Sequence, residues 1–385
     1  MTKKEIFSPG MSEIYLDYNA TTPVAKPVQE EVNSALKYKW GNPSSGHKFG
    51  QMAKMVLEYA RAQVASLLNA DQTEILFTSG GTESNNTVIM GVCQAISGKG
   101  RHIITTRIEH PSLINPCLHL LEHGWDVSFI KVNSQGVIDL LEVERALRPD
   151  TVLVSVMLAN NETGTIQPVA AISQLAREHG VLVHTDAAQA VGKISVNVKS
   201  LEVDYLSIAG HKLYAPKGIG ALYCRKGAPF GQLMFGAGQE QGLRPGTEPV
   251  PLAVGLGAAC DFVARDIETE AERQTGLREK LYAELSKLGH PIIRHGDPEN
   301  TLSNTLSVSF IGKNGAEILA QAPEILASTG AACHDRAIKV SHVLAAMGVS
   351  PEVAMGTLRL SLGRGTTESD IEIAAQAIGR ALERM

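Results

Sequence analysis

The chain has 385 residues, of which 44% are hydrophobic and 19% are charged, as in an ordinary globular enzyme. Its net charge of −5 and pI of about 6.2 give no general attraction to nucleic acid or anionic lipid. No apolar run reaches the roughly 18 residues of a membrane helix. The N-terminus lacks the apolar stretch of a secretion signal, so the cytoplasm is the expected location.

From about Thr73 to Cys224, β-branched apolar runs alternate with helical patterns. The runs that we predict to be strands are residues 75–78, 102–105, 127–130, 151–156, 181–184, 205–208 and 220–223. A helix is predicted over residues 169–179, with Gly180 in the usual stop position. This alternation predicts a mostly parallel sheet with both faces covered and with ligands at the carboxyl ends of its strands.

After about Asp261 the pattern changes to a long charged helix over 267–288, a strand over 306–310 and a helix-rich tail. The last helix is predicted to begin at Thr367 with a capping box that includes Asp370. Its apolar stripe is Ile371, Ala374, Ala375, Ile378 and Leu382. We therefore expect a large domain followed by a smaller one.

Two polar residues stand at the ends of neighbouring hydrophobic strands. Lys212 follows the strand at 205–208, and Asp186 follows the strand at 181–184. A lysine can hold an aldehyde cofactor as a Schiff base, and a buried aspartate can keep a pyridine nitrogen protonated. Either residue alone is more often structural, but together they indicate pyridoxal 5′-phosphate.

Other polar motifs also follow strands of the predicted sheet. The run Ser-Gly-Gly-Thr-Glu-Ser at 79–84 opens a helix and suits a phosphate, although such a run alone is often a simple turn and cap. His110 follows the strand at 102–105 and is placed to face a cofactor ring, although a lone histidine is usually structural. Asn161 is one of two adjacent amides that are either turn formers or ligands of the cofactor's phenolic oxygen or the substrate, and Gln189 is a candidate for the same ligand role.

Two residues of the second unit point to amino-acid chemistry. Arg359 is a charge within an apolar alternation, either a paired or edge arginine or a clamp for an α-carboxylate. Cys333 follows small residues and precedes His334 and Arg336, a setting that favours a nucleophilic thiol. The other cysteines lie in apolar surroundings and are predicted to be packed thiols; no CxxC pair indicates zinc or a disulfide framework.

The ordered motifs of the chain resemble those of the cysteine desulfurases with a short active-site loop, and of the related selenocysteine lyases. The resemblance runs from the segment at 15–23 to the final helix and includes the runs at 41–45, 79–84, 109–110, 160–164, 184–186, 210–212 and 244–247, and Cys333. It implies an α/β fold, fold type I of the pyridoxal-phosphate enzymes, with a mostly parallel seven-stranded sheet in a large domain and a smaller α+β domain. The implied large domain is 25–265, and 1–24 with 266–385 form the small domain that carries the catalytic cysteine loop.

The resemblance also implies roles at the cofactor. Lys212 would form the Schiff base, Asp186 would pair with the pyridine nitrogen, and His110 would stack on the ring and move protons. The remaining cofactor contacts would be Asn161 and Gln189 near the ring oxygen and Gly81, Thr82 and His211 at the phosphate. Thr247 would reach the phosphate of a neighbouring subunit, which implies a homodimer with shared sites.

For the substrate, the resemblance implies that Arg359 holds the carboxylate with help from Asn42, that Asn161 contacts the substrate, and that Cys333 takes the sulfur as a persulfide. The implied function is a pyridoxal-phosphate-dependent cysteine desulfurase that releases L-alanine and passes sulfur to an acceptor protein. The alternatives are a selenocysteine lyase, which releases selenide from L-selenocysteine, a simple aminotransferase, and a silent scaffold. A silent scaffold is disfavoured by the intact set of Lys212, Asp186, His110 and Cys333.

Three features depart from the desulfurase pattern. Ala209 stands where many desulfurases have serine, which removes one phosphate hydroxyl. Selenocysteine lyases resemble the chain there, but their animal members have aspartate where this chain has Pro111. The chain also ends soon after its last helix, whereas some housekeeping desulfurases dock an iron–sulfur scaffold with a longer tail. The sulfur acceptor therefore stays open, with iron–sulfur cluster biogenesis among the expected uses.

Overall fold

The computed structural model describes residues 13–96, 98–334 and 337–385, and its strands and helices alternate along most of the chain. The strands are β1 (Ile14–Tyr15), β2 (Ile75–Thr78), β3 (His102–Thr106), β4 (Asp126–Ile130), β5 (Thr151–Ser155), β6 (Leu182–Asp186), β7 (Tyr205–Ala209), β8 (Gly220–Cys224), β9 (Ile292–His295), β10 (Thr305–Phe310), β11 (Ile325–Leu326), β12 (Ser328–Thr329), β13 (Ala331–His334), β14 (Ala337–Val340) and β15 (Thr357–Ser361).

The α-helices lie between these strands and at the end of the chain. They are α1 (Lys26–Tyr38), α2 (Lys48–Leu68), α3 (Gly81–Ile96), α4 (Pro111–Glu122), α5 (Leu140–Ala146), α6 (Val169–Glu178), α7 (Val198–Leu201), α8 (Val250–Ala264), α9 (Ile267–Ser286), α10 (Gly315–Gln321), α11 (His342–Ala346), α12 (Pro351–Met355) and α13 (Glu368–Glu383). Helix α6 ends at Glu178, one residue before its predicted end, and Gly180 just beyond it has a φ of +69°, which suits glycine.

The seven predicted strands form one sheet in the order β2-β8-β7-β6-β5-β3-β4. The five strands from β7 to β4 are parallel, and β8 runs antiparallel to both β7 and β2. The prediction of a mostly parallel seven-stranded sheet is therefore confirmed. The observed strand ends differ from the predicted ones by at most two residues, and both ends of β2 agree with the prediction.

Helices cover both faces of this sheet because its strands alternate large apolar side chains between the two faces. Ile103 and Leu153 pack into one hydrophobic cluster with helix α3, whereas their neighbours Ile104 and Val154 pack into another. All four side chains are buried. Polar groups are thus left at the strand ends, where a site can form.

A second sheet has four antiparallel strands in the order β12-β15-β10-β9. Leu306, Val308 and Leu360 of this sheet pack with α9 and α13 in a separate hydrophobic cluster. The apolar stripe predicted for the last helix is buried in that cluster. The predicted capping box of Thr367 and Asp370 is present, with Asp370 N donating to Thr367 Oγ1 at 3.2 Å.

Cys333 lies in a two-stranded hairpin formed by β13 and β14, where its backbone is opposite Ile338. At the base of the hairpin, Ser341 N donates to Gly330 O at 2.9 Å and Gly330 N donates to Thr357 O at 3.1 Å. The hairpin is therefore attached at its base to β15, the strand that carries Arg359.

The four other cysteines behave as packed thiols. Cys93, Cys117 and Cys260 are buried, and Cys224 is half-buried. Burial raises the pKa of Cys93 and of Cys224 to about 12. Among the helices described, none has the length and apolar character needed to cross a bilayer.

Candidate active site

A cavity of about 260 Å³ lies where β6 ends at Asp186 and where Lys212 follows β7. Its lining is Ala20, Gly81, Thr82, His110, Ser112, Met157, Ala159, Asn161, Asp186, Ala188, Gln189, Ala209, His211 and Lys212. Most of the predicted cofactor residues are in this set, namely Gly81, Thr82, His110, Asn161, Asp186, Gln189, His211 and Lys212. The structure thus gathers residues that are far apart in sequence into one polar cavity.

Lys212 and Asp186 face the same cavity and are held by different contacts. Lys212 Nζ donates to the carbonyl oxygen of Asn19 at 2.5 Å. Burial, with a smaller contribution from Arg359, lowers the pKa of Lys212 to about 8. The Asp186 carboxylate accepts hydrogen bonds from Asn85 Nδ2 at 2.7 Å and Ala188 N at 2.9 Å. An amine with a lowered pKa and a fixed carboxylate therefore line one cavity.

The first turn of α3 forms another part of the lining, with Gly81 and Thr82. The first N–H groups of a helix have no partner within it, and they attract anions together with the helix dipole. A Cβ on Gly81 would lie 3.4 Å from the Cβ of Ala209, so glycine keeps this wall open. Nearby, burial lowers the pKa of His211 to about 4, and its Nδ1 lies 3.2 Å from Thr21 Oγ1.

Glu109, next to His110, is a fully buried carboxyl group. Its Oε1 accepts from Thr106 Oγ1 at 2.7 Å and from Met157 N at 3.0 Å, whereas Oε2 has no hydrogen-bond partner among the described residues. Burial raises the pKa of Glu109 to about 8, so the group is mostly protonated at neutral pH. The Glu109 carbonyl oxygen lies 2.9 Å from Nε2 of His342, just beyond the Cys333 hairpin.

Asn19 connects several of the predicted residues. Its carbonyl oxygen accepts from Gln189 Nε2 at 2.9 Å as well as from Lys212. Its side-chain oxygen accepts from Lys193 Nζ at 2.8 Å, and its Nδ2 donates to Asn161 O at 3.1 Å. Asn19 is fully buried, so these contacts fix the positions of the groups around it.

Arg359 lies beside this network on β15, between β12 and β10. The interpretation as an edge arginine is wrong, because β15 has neighbours on both sides. The guanidinium is paired, since Nη2 donates to Asp17 Oδ1 at 2.6 Å and Nη1 donates to Asn161 O at 3.2 Å. Its Nε is buried and has no hydrogen-bond partner within the described residues, which leaves a donor for a ligand.

Asn42 and Thr247 do not line the cavity in this single chain. Both are exposed, and Asn42 Oδ1 accepts from Ser44 N at 2.9 Å in a local turn. The predicted nucleophilic side chain of Cys333 lies outside the described part of the structure. The roles assigned to these residues by sequence thus stay predictions.

Sequence reasoning missed four residues that organise the cavity: Asn19, Asn85, Ser112 and Lys193. Asn19 lies within a motif that carried the family resemblance and Asn85 directly follows another, so their positions were a usable signal. No sequence signal marked Lys193, because its two amide partners, Asn19 Oδ1 and Gln189 Oε1, come together only in the folded chain.

With this geometry established, comparisons with known proteins identify the family. The model of the class-V aminotransferases matches residues 14–373. A cysteine desulfurase IscS from Dictyoglomus turgidum is 43% identical over 97% of this chain and 95% of its own. Among solved structures, a NifS-like protein has a TM-score of 0.92 at 39% identity, covering 97% of this chain and 100% of its own.

A second solved structure, SspA in complex with cysteine, has a TM-score of 0.81 at 39% identity and covers 90% of this chain and 98% of its own. The first two of these relatives each cover 97% of the chain, so the similarity extends over both sheets. The chain therefore belongs to the class-V aminotransferase family, in the branch that holds its cysteine desulfurase relatives, and it is a pyridoxal-phosphate-dependent enzyme.

Proposed function

We propose that this enzyme converts L-cysteine to L-alanine and takes up the sulfur on Cys333 as a persulfide. The observation that carries the proposal is the contact between the base of the Cys333 hairpin and the cavity wall. His342 Nε2 lies 2.9 Å from the carbonyl oxygen of Glu109, the residue before His110. Ser341 Oγ donates to Glu162 Oε2 at 2.5 Å, next to Asn161.

The cavity fits pyridoxal phosphate in its donor set. Lys212 would hold the aldehyde carbon, Asp186 would pair with the pyridine nitrogen, and the first turn of α3 at Gly81 and Thr82 would bind the phosphate. The side-chain amides of Gln189 and Asn161 would lie near the ring oxygen. When bound, the cofactor supplies an electron sink for negative charge that develops on the substrate.

The chain's own residues would orient the substrate and move its protons. Arg359 Nε, which is buried without a partner among the described residues, would donate to the substrate carboxylate, with help from Asn42. Lys212 Nζ would accept the α-proton, because its pKa of about 8 is well below that of a free lysine and leaves more of the amine neutral at pH 7 to 8 than a free lysine would have. His110 at the cavity wall would hold a proton for the departing sulfur.

The overall reaction balances without an external oxidant or reductant. The carbon–sulfur bond of cysteine breaks, a sulfur–sulfur bond forms at Cys333, and the Cys333 thiol proton stays within the products. The carbon that loses sulfur gains hydrogen and is reduced, while the two sulfur atoms are oxidised. The persulfide would then pass to an acceptor protein, of which an iron–sulfur scaffold is one expected type.

The same proposal includes a homodimer in which Thr247 of one subunit reaches the phosphate of the other. It is supported by a group of exposed apolar side chains on α1 and α2 and near them: Leu36, Tyr38, Trp40, Phe49, Met55 and Tyr59. Exposed apolar surface of this kind is typical of an interface. We also propose the division into domains 25–265 and 1–24 with 266–385, supported by the separate clusters around the two sheets.

The four cysteines other than Cys333 are free thiols, namely Cys93, Cys117, Cys224 and Cys260. Reduced thiols are typical of the cytoplasm, where we place the reaction.

The test is alanine formation from L-cysteine and from L-selenocysteine at equal concentrations, with wild-type enzyme and Cys333→Ser. The proposal expects alanine from L-cysteine, and its loss in Cys333→Ser. Turnover of L-selenocysteine alone, with L-cysteine acting only as an inhibitor, would instead identify a selenocysteine lyase. Full turnover by Cys333→Ser with a keto acid as amine acceptor would identify an aminotransferase.

A further inference from the structure

His110 is joined to Asp186 by a short series of hydrogen bonds across helices α3 and α4. Asn85 Nδ2 donates to Asp186 Oδ2 at 2.7 Å and to Ser112 Oγ at 2.9 Å. Ser112 Oγ in turn lies 2.8 Å from His110 Nδ1. Asn85 is fully buried, so water does not compete for its contact with Asp186, whereas His110 at the other end of the series is exposed.

The donor and the acceptor of each hydrogen bond can be assigned by starting from the Asp186 carboxylate. Asp186 can only accept when ionised, so the nitrogen of the Asn85 amide must face it. The same amide nitrogen uses its other hydrogen on Ser112 Oγ, which therefore accepts from Asn85. The Ser112 hydroxyl hydrogen is then available for His110 Nδ1.

His110 also caps helix α4. Its Nδ1 accepts from the backbone N–H of Ser112 at 3.1 Å, and Pro111 occupies the first helical position, where a missing N–H costs nothing. Nδ1 therefore faces two donors, the hydroxyl and the backbone amide of Ser112. A proton on Nδ1 would break the contact with the backbone N–H of Ser112, whereas a bare Nδ1 accepts from both donors, so the ring proton is placed on Nε2.

The charges around His110 favour the same neutral form. Burial lowers the pKa of His110, and the positive charges of Lys212 and His342 lower it further, whereas Asp186 acts in the opposite direction. The N-terminus of α4 also disfavours a cation at its cap. The neighbouring carboxyl of Glu109 is mostly protonated and adds little charge.

We propose that Ser112 and Asn85 are positioning residues that hold His110 as its neutral Nε2–H tautomer and tie its orientation to the Asp186 carboxylate. This inference deepens the proposed function, because it names what prepares His110 to hold a proton at the cavity. It concerns residues of this chain alone, so it can be tested apart from turnover.

The experiment is ¹⁵N NMR of the His110 ring in full-length protein, with bound cofactor and after its removal, titrated over pH. Wild type is expected to show the Nε2–H tautomer at pH 7. In Ser112→Ala the pKa of His110 is expected to rise by about half a unit to one unit, because one donor to Nδ1 is lost. Ser112→Thr keeps a hydroxyl and is expected to restore the wild-type value.

Asn86→Ala is the matched control for packing between α3 and α4. Asn86 Nδ2 donates to the Ser112 carbonyl oxygen at 3.1 Å, so the variant weakens the packing between α3 and α4 but leaves the Ser112 hydroxyl in place. It should leave the pKa of His110 at the wild-type value. A wild-type Nδ1–H tautomer, or equal shifts in Ser112→Ala and Asn86→Ala, would overturn the proposal.

Turnover supplies a second readout. Ser112→Ala is expected to lower kcat about threefold to tenfold with KM unchanged, and to shift the acid limb of the pH profile upward with the pKa of His110. A change confined to KM would also overturn the proposal. Absence of cysteine turnover in wild type, with the NMR result as expected, would reject the proposed reaction and leave the tautomer inference intact.

Discussion

The wall of the cavity at the large sheet and the hairpin of Cys333 are supported in different ways. Lys212 and Asp186 follow or end adjacent strands of a seven-stranded sheet, and buried side chains such as Asn19 and Asn85 bond to them. Among the described strands, β13 and β14 pair only with each other. The proposed cofactor contacts and the hairpin that carries Cys333 therefore depend on different packing, so different substitutions can test each of them.

The largest effect is expected for Lys212→Ala, which removes the group that would attach the cofactor and move the α-proton. Alanine formation should fall by about 10³-fold or more. After borohydride reduction, mass spectrometry should find the cofactor adduct on wild type and not on the variant. Lys193→Met is the control for which lysine carries the cofactor, because Lys193 is also a buried lysine with a lowered pKa and bonds to Asn19, but it does not line this cavity. Loss of the adduct in this control alone would assign the attachment to Lys193.

Arg359→Ala tests the contact between the second sheet and the substrate. If Arg359 holds the substrate carboxylate, kcat/KM for L-cysteine should fall by about 10²-fold, mainly through KM, and the cofactor absorbance should stay the same. Arg294→Ala is the control, since Arg294 lies in the same sheet and pairs with Glu279.

The opposite result for Arg359 has a clear meaning. An unchanged KM together with a loss of folding stability would reduce Arg359 to a structural partner of Asp17. The unfolding free energies of both arginine variants, measured in urea, separate the two outcomes.

Glu109 lies between the cavity wall and the Cys333 hairpin, and its replacement should change the free energy of unfolding more than the rate of the reaction. Its pKa in the folded protein is raised from 4.5 to about 8. Between these values the unfolded chain loses its proton first, so this group makes the wild type less stable as pH rises from about 4.5 to 8. Glu109→Gln should remove that slope and be more stable than wild type at pH 8, by about 1 to 3 kcal/mol.

Urea unfolding at several pH values measures the Glu109 effect. Glu122→Gln, at an exposed position at the end of α4, is the control and should follow the wild-type slope. If the unfolding free energies of wild type and Glu109→Gln changed with pH in the same way, Glu109 would be ionised in the folded protein at neutral pH.

The smallest effect is expected for Ser341→Ala at the base of the hairpin. The variant loses the hydrogen bond to Glu162 and the cap of α11. Persulfide formation should slow about threefold to tenfold while cofactor binding is unchanged. Ser350→Ala removes the cap of α12, a helix of equal length, and should leave the rate unchanged. Equal slowing in both variants would point to general loss of stability.

Much of the fold could be predicted because local patterns determined it. The alternation around Ile103 and Ile104 placed neighbouring side chains on opposite faces, and Thr367 with Asp370 marked the start of the last helix. Strand ends were less predictable: β6 continues to Asp186 because it pairs with β7 up to Ser207, which is a tertiary contact.

The site was predictable only in part. Residues at strand ends, such as Asp186 and Lys212, were indicated by sequence position and by the family motifs. The pairing of Arg359 with Asp17 and the contact of Lys193 with Asn19 depend on residues more than a hundred positions apart. No local pattern records such contacts, so the fold was needed to find them.

The most direct test is mass spectrometry of Cys333 after a single addition of L-cysteine to the cofactor-loaded enzyme. The account predicts that the peptide containing Cys333 gains the mass of one sulfur atom, in proportion to the alanine released, and that dithiothreitol removes it. Cys333→Ser should show the same cofactor absorbance as wild type and no added sulfur. Alanine released without added sulfur at Cys333 in wild type, or at the full rate by Cys333→Ser, would contradict the account.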